Sequence, residues 1–282
     1  MSSLWIADEA RAIVESLHLL TVEDGWRADL PGAVVNDRGD RQVVRLDDPG
    51  GGGNLYLKRW RIPEGSVFRF LPGRRGLRRR AADEFRNLQA LGRMGVRVPR
   101  PLAFGETRGA WGAVASVLLL EGLDAYRCAR SWAKDHPEHR GLIAEGIARI
   151  VGALHRNRAY YRSPGLKHFY VRADSPESPL ALLDVPRLDP PANLLRGLLG
   201  PTFGFDPPGP VRDLSKVLLT LRQELRLNRP EEEGFWIAYW KESGLAQDEK
   251  AIRAVVEKIA ERRRERRKTR VDRARSRSAA NL

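Results

Sequence analysis

The sequence has one cysteine, Cys128, so it can form no internal disulfide, and it lacks the paired Cys and His spacing of a structural zinc site. Cys128 is expected to be an ordinary core thiol. No apolar run approaches the roughly 18 to 20 residues that a membrane-crossing helix requires. The opening segment MSSLWIADEARAIVESLHLL carries acids where a signal peptide would carry bases. These absences lead us to expect a cytoplasmic chain. There is no internal repeat, and neither a zinc pattern nor an aromatic-studded RNA motif is present, so nucleic acid is not the expected partner.

Positive charge is abundant: the formal net charge is +14 over 282 residues. It favours anionic partners such as nucleotide, phosphosugar, anionic lipid or nucleic acid. The charge is uneven, because the closing run ERRRERRKTRVDRARSRSAANL holds ten Lys or Arg against three acids and so carries half of the excess. Hydrophobic residues make up 42%, which suffices for a packed core and argues against general disorder.

Periodicity divides the chain into a strand-rich first part and a helix-rich second part. Trp5, Ile6, Ala10, Ile13 and Leu17 have helical spacing, which predicts a short amphipathic helix at the start. RQVVRLDD and NLYLKRW read as two strands joined through Gly50 to Gly53. A basic loop with Arg74, Arg75, Arg78, Arg79 and Arg80 leads into a helix from about Arg79 to Met94, with an apolar stripe at Ala82, Phe85, Leu88, Leu91 and Met94. VPRPLAFGE and GAVASVLLLEGL read as two further strands, the second apolar enough to be buried on both faces.

Beyond them, Leu142, Ile143, Ile147, Ile150, Val151 and Leu154 mark a buried helix, and a second is expected near Asp213 to Leu227. ALLDVPRL gives a short strand with an acid near its end, followed by an irregular Pro- and Gly-rich stretch. EEEGFWIAYWKESG reads as a late packing helix, and a basic helix beyond Asp248 is expected to fray into a disordered tail. The expected architecture is α+β with two lobes. An antiparallel-sheet N-lobe spans 1–120, a mainly helical C-lobe spans 121–256, and a basic tail spans 257–282.

Phosphoryl transfer asks little covalent chemistry of a protein: it needs a lysine on the nucleotide phosphates, an acid orienting that lysine, an acid holding magnesium, and a base orienting the acceptor hydroxyl. Lys58 at the end of LYLKRW and Glu84 on the following helix have the order of the first two, although most such pairs are solvated surface charge. Asp184 follows an apolar strand, where a buried carboxylate without a cation would be costly. A strand-end acid facing a turn is the bland alternative.

In order and spacing, LYLKRW, RRAADEFRNLQALGRMGVRVPRPLAFGE, SVLLLEGL, ALHRNRAYYRSPGLKHFYV, ALLDVPRL, VRDLSKVLL and GFWIAYW resemble the lipopolysaccharide kinase family, the Kdo and heptose kinases of inner-core sugars. The resemblance implies a protein-kinase-like fold, with ATP and Mg2+ as cofactors and a lipopolysaccharide core sugar or related glycolipid as acceptor. It makes Lys58 the phosphate lysine, Glu84 its helix partner, Glu121 a nucleotide-binding position and Asp184 the magnesium acid. His168 falls where many kinases carry a metal-binding asparagine, against the alternative of a packed loop histidine. His155 is read as structural. Asp213 matches an acid that steadies the catalytic loop, and also reads as a helix N-terminal charge.

The family's His-Arg-Asp is Tyr161, Arg162 and Ser163 here, followed by Pro164 and Gly165. A serine hydroxyl cannot take the acceptor's proton at neutral pH, and loss of a positioned base costs roughly 10²- to 10⁴-fold in rate. The expectation is therefore a kinase-like protein with Arg162 and Ser163 at the catalytic position, either turning over slowly or acting as a pseudokinase that binds nucleotide in envelope glycolipid biosynthesis. The basic segments could place it peripherally at the inner membrane. A basic nucleic-acid-binding protein is the reading from another class, and steep salt dependence would mark it.

Overall fold

The computed structural model describes residues 4–27, 29–61, 80–109, 112–161, 164–185, 188–189, 209–245 and 249–280. Arg74, Arg75, Arg78 and Arg79 of the basic loop, and Arg162 and Ser163 of the catalytic position, lie outside them. The chain forms two compact units, one of Met1–Tyr126 with Leu182–Arg187 and the other of Arg127–Ala181 with Leu188–Leu282. The expected division was near residue 120 with the Asp184 strand in the helical part. Instead the short segment bearing Asp184 returns to the sheet unit, because Leu182 N–H donates to the Arg97 carbonyl at 2.8 Å and Asn87 Nδ2 donates to the Val185 carbonyl at 2.9 Å.

The first unit is a six-stranded sheet of β1 (Trp5–Ile6), β2 (Ala33–Asp37), β3 (Arg41–Asp47), β4 (Asn54–Arg61), β5 (Pro101–Gly109) and β6 (Gly112–Glu121), in the order β1-β5-β6-β4-β3-β2. Its pairings are antiparallel. The expected β3–β4 hairpin closes with Asp47 opposite Asn54. Val44, Leu46, Leu55 and Leu57 alternate onto one face and pack with Val14, Leu17 and Val22. Each of the larger fully buried side chains, such as Leu46 and Leu57, contributes about 1.5–3 kcal/mol through burial. Val117 to Leu120 are buried on both faces of β6, as their apolar run predicts.

The opening segment departs from the expected helix. Trp5 and Ile6 form a strand opposite Phe104 and Ala103, and only Arg11–Ser16 is helical (α1). Edge pairing, together with Trp5 packing on Phe85 at 4.8 Å between ring centroids, outweighs the local period. The helix α2 (Arg80–Arg93) buries Ala81, Glu84, Leu88 and Leu91 rather than the strict three-residue series read from the sequence. A 3.6-residue turn drifts away from a three-residue period, and the face it selects contains an acid.

The second unit contains α3 (Ala129–Asp135), α4 (Arg140–Arg156), α5 (Gly209–Thr220), α6 (Arg229–Ser243) and α7 (Glu249–Ala280). Ile143, Ile147, Val151 and Leu154 of α4 and Phe235, Trp236 and Tyr239 of α6 are buried. At Gly152 an added Cβ would lie 2.8 Å from the Glu242 Cβ, so a side chain there would meet α6. Asn228 and Glu231 form a reciprocal capping box that starts α6. The helix α5 begins at Gly209 and Pro210, four residues before Asp213, so Asp213 is interior rather than a helix-start charge.

A single π-type turn, Leu221–Leu225, follows α5 and ends at Arg226 with φ 56°. From it Arg222 makes bidentate contacts to Glu232 of α6 and Glu257 of α7, linking the two helices through side chains. Val256 and Ala260 of α7, which packs along α5, are buried. The segment expected to fray is helical through Ala280, since it is dense in Arg, Lys, Glu and Ala, all strong helix formers. No helix among the described residues is long and apolar enough to cross a membrane. Cys128, expected in the core, is only partly buried, with Sγ 3.8 Å from the Lys167 carbonyl.

Candidate nucleotide site

Lys58 lies on β4, between Leu57 and Arg59, whose side chains point to the opposite face. Leu57 is buried in the core, and Arg59 donates to the Gly25 carbonyl at 2.9 Å and to Gln42 Oε1 at 2.8 Å. Alternation therefore turns Lys58 to the face that α2 covers. There its ammonium meets the Glu84 carboxylate in a direct ion pair. The side chains are 13% and 3% exposed, so each charge is desolvated and depends on the other. The helix stripe that buries Leu88 and Leu91 is the reason an acid at position 84 reaches the sheet at all.

Asp184 belongs to the same unit. It has φ 56°, a left-handed conformation that Asp adopts more readily than most residues but that still costs of order 1–3 kcal/mol. The two flanking hydrogen bonds, from Leu182 to Arg97 and from Asn87 to Val185, impose it. The side chain is 45% exposed, which corrects the expectation of a carboxylate buried behind its strand. Val185 takes the buried position instead. Arg41 Nη2 stands 3.9 Å from Asp184 Oδ1, an ion pair with little net worth at this exposure, about 0–1 kcal/mol.

Glu121 ends β6. Its carboxylate is 3.1 Å from Arg97 Nη2 and 3.6 Å from Arg100 Nε, and its N–H donates to the Arg100 carbonyl at 3.0 Å. Among the described residues no group of three or more His, Cys, Asp or Glu is arranged to hold a metal ion. The chain's own donors thus form no closed cage. A partly exposed single carboxylate still fits a magnesium ion that takes its remaining oxygens from water and nucleotide phosphates.

In the second unit His168 ends a short 3-10 turn after Gly165, with its ring 6.1 Å from that of Tyr161. His155, Asp213 and Tyr239 are buried together. His155 Nδ1 and the Tyr239 hydroxyl are 2.9 Å apart, and Arg212 Nε donates to Asp213 Oδ1 at 3.0 Å. His155 Nε2 lies 3.7 Å from Asp213 Oδ2, and neither atom has a hydrogen-bond partner among the described residues. Burial holds the Tyr239 phenol protonated above its ordinary range, partly offset by a hydrogen bond with Ser243. His155 is buried on α4, against Asp213 of α5 and Tyr239 of α6.

The contact of Arg41 with Asp184 was not legible in the sequence. The two residues are far apart in the chain, and no local period links them. A cation closing the first turn of a strand near an aspartate-bearing segment is a signal only once the fold is known.

Residues 56–190 match the lipopolysaccharide kinase (Kdo/WaaP) family. A search of curated proteins gives no match. Among solved structures, WaaP in complex with acyl carrier protein superposes with a TM-score of 0.61 at 20% identity, over 92% of this chain and 98% of that one. At that identity the likeness shows the fold, a kinase-like α+β arrangement. The bifunctional kinase-methyltransferase WbdD aligns with a TM-score of 0.48 at 18% identity, over 79% of this chain and 43% of that one.

Proposed function

Through residues 56–190 the chain belongs to the lipopolysaccharide kinase (Kdo/WaaP) family, and from that premise we propose that its sheet unit is a nucleotide site for ATP and Mg2+. Lys58 is the phosphate ligand, Glu84 holds it in place and Asp184 is the magnesium acid. The observation that carries this reading is the buried Lys58–Glu84 pair on β4 and α2. A lysine desolvated to this degree gains from an anionic ligand, because a phosphate adds a second counter-charge at low dielectric. A magnesium ion bound there would screen the phosphate charges and polarise the transferred group.

In this reading the acceptor is a lipopolysaccharide core sugar or related glycolipid, phosphorylated on a hydroxyl. His168 is a metal or phosphate contact, and Glu121 lies at the nucleotide's edge. Asp213 steadies the catalytic loop, which accords with its buried oxygen that lacks a partner among the described residues. Ser163 favours a second reading. With no carboxylate at that position, the protein could bind nucleotide as a pseudokinase that regulates or scaffolds envelope glycolipid synthesis.

A peripheral membrane position is part of the proposal. The closing run ERRRERRKTRVDRARSRSAANL, most of it on α7, holds ten Lys or Arg against three acids. A basic segment of this kind suits an anionic lipid surface, where each base gains about 1 kcal/mol. The deciding experiment is phosphate transfer from labelled ATP to core oligosaccharide by wild type, Ser163→Asp and Asp184→Ala. Turnover by wild type that Asp184→Ala abolishes supports the kinase. Silence in wild type with turnover gained in Ser163→Asp supports the pseudokinase. Silence in both, together with no nucleotide binding, rejects both readings.

A further inference from the structure

We propose that Arg41 is a second phosphate-binding residue of the nucleotide site, resting on the Asp184 carboxylate until the nucleotide arrives. This deepens the nucleotide reading above and rests on it. The β2–β3 hairpin is braced by its own side chains. The Asp37 carboxylate accepts from the Gly39 N–H at 2.7 Å and from Gln42 Nε2 at 2.7 Å. Gln42 in turn accepts from Arg59 at 2.8 Å, and the Asp40 carbonyl accepts from the Arg61 N–H at 3.0 Å. Gly39, with φ 76°, permits the tight reversal. The bracing fixes the point at which residue 41 leaves the turn.

The β3–β4 register sets Arg41 opposite Trp60 and Val43 opposite Lys58. Arg41 and Lys58 are therefore diagonal neighbours on one sheet face, a relation with a Cβ spacing of about 7 Å. The guanidinium lies 5.4 Å from the centre of the Trp60 ring, a contact that holds its long side chain over the sheet. From there it reaches Asp184 at 3.9 Å. Among the described residues this face thus presents two cations, with Lys58 committed to Glu84 and Arg41 held by the Trp60 ring and a loose, partly exposed ion pair.

A guanidinium binds a phosphate through two parallel N–H donors, whereas an ammonium acts as a point charge. A polyphosphate carries more charge than one carboxylate, so the loosely held guanidinium transfers to it and Asp184 is left for a magnesium ion. Before nucleotide arrives, Arg41 and a divalent cation compete for the same carboxylate. The chain therefore supplies part of the neutralisation usually left to the metal, and nucleotide binding survives metal removal in proportion to Arg41.

The test is ATP affinity in excess Mg2+ and in EDTA, measured by calorimetry on wild type, Arg41→Ala, Arg41→Lys and Lys58→Ala. Thermal unfolding checks that each variant is folded. Arg41→Ala is expected to weaken binding about tenfold in EDTA and less than about threefold in Mg2+, with Arg41→Lys recovering part of the loss. Lys58→Ala weakens binding in both conditions. Equal ATP affinity of Arg41→Ala and wild type in EDTA overturns the role of Arg41, as does an equal loss in both conditions. If wild type binds no ATP in either condition, the nucleotide reading fails and this inference fails with it. If wild type binds and only the Arg41 pattern is absent, the nucleotide reading stands alone.

Discussion

Each unit buries a pair of titratable side chains, and the two pairs differ in how they are closed. Lys58 and Glu84 meet directly, with the lysine side chain 13% exposed on a sheet face that also carries Arg41. His155 and Asp213 are 0% and 1% exposed, yet their facing atoms are 3.7 Å apart and are held from outside by Tyr239 and Arg212. The first pair retains some exposure on the lysine side. The second is enclosed by helix packing and serves the interior.

The contrast breaks most severely at Asp213. Asp213→Ala removes the acceptor of Arg212 Nε in a sealed interior, and a loss of about 3–5 kcal/mol in urea unfolding is expected. A loss below about 1 kcal/mol would mean that the enclosure is dispensable. Glu84→Ala ranks next. Lys58 can reach water through its exposed edge, so the expected loss is about 1–3 kcal/mol, accompanied by weaker ATP binding. If Glu84→Ala cost more stability than Asp213→Ala, the assignment of open and closed pairs would be reversed.

Tyr239→Phe sharpens the enclosed side further. It removes the hydroxyl beside His155 Nδ1 and should cost about 1 kcal/mol. Burial raises the Tyr239 phenol, so the unfolded chain loses this proton first. Wild-type stability is therefore intact below the ordinary value of 10.0 and falls as pH rises above it. Unfolding followed between neutral pH and pH 11 should show that decline in wild type and less of it in Tyr239→Phe.

The smallest effect is expected at the hairpin. The Gly39 N–H and then the Gln42 amide hold Asp37 below its ordinary value of 3.8, against a small opposing effect of burial. The brace is thus present above that value and is lost as pH falls through the lowered one. Asp37→Asn should speed amide exchange at Gly39 at neutral pH while leaving global unfolding unchanged. No change in exchange would remove the brace from the account.

The sheet unit was legible in sequence wherever local chemistry sufficed. The Gly50 to Gly53 turn placed the β3–β4 hairpin, and the apolar run Val117 to Leu120 placed β6. The kinase-like motif order led to the family and to the α+β fold. Strand β2 escaped because all five of its residues are exposed and a register shift between Val34 and Asn36 breaks its alternation. Trp5 and Ile6 looked helical because their pairing with β5 is made about a hundred residues away. The return of Leu182–Arg187 to the first unit depends on hydrogen bonds to Arg97 and Asn87 that no local pattern encodes.

The most direct test is a calorimetric titration of ATP with Mg2+ into wild type and Lys58→Ala. Saturable binding by wild type is expected, with at least a tenfold weaker constant for a folded Lys58→Ala. Wild type that releases no heat of binding, or a variant that binds as tightly as wild type, would contradict the nucleotide reading.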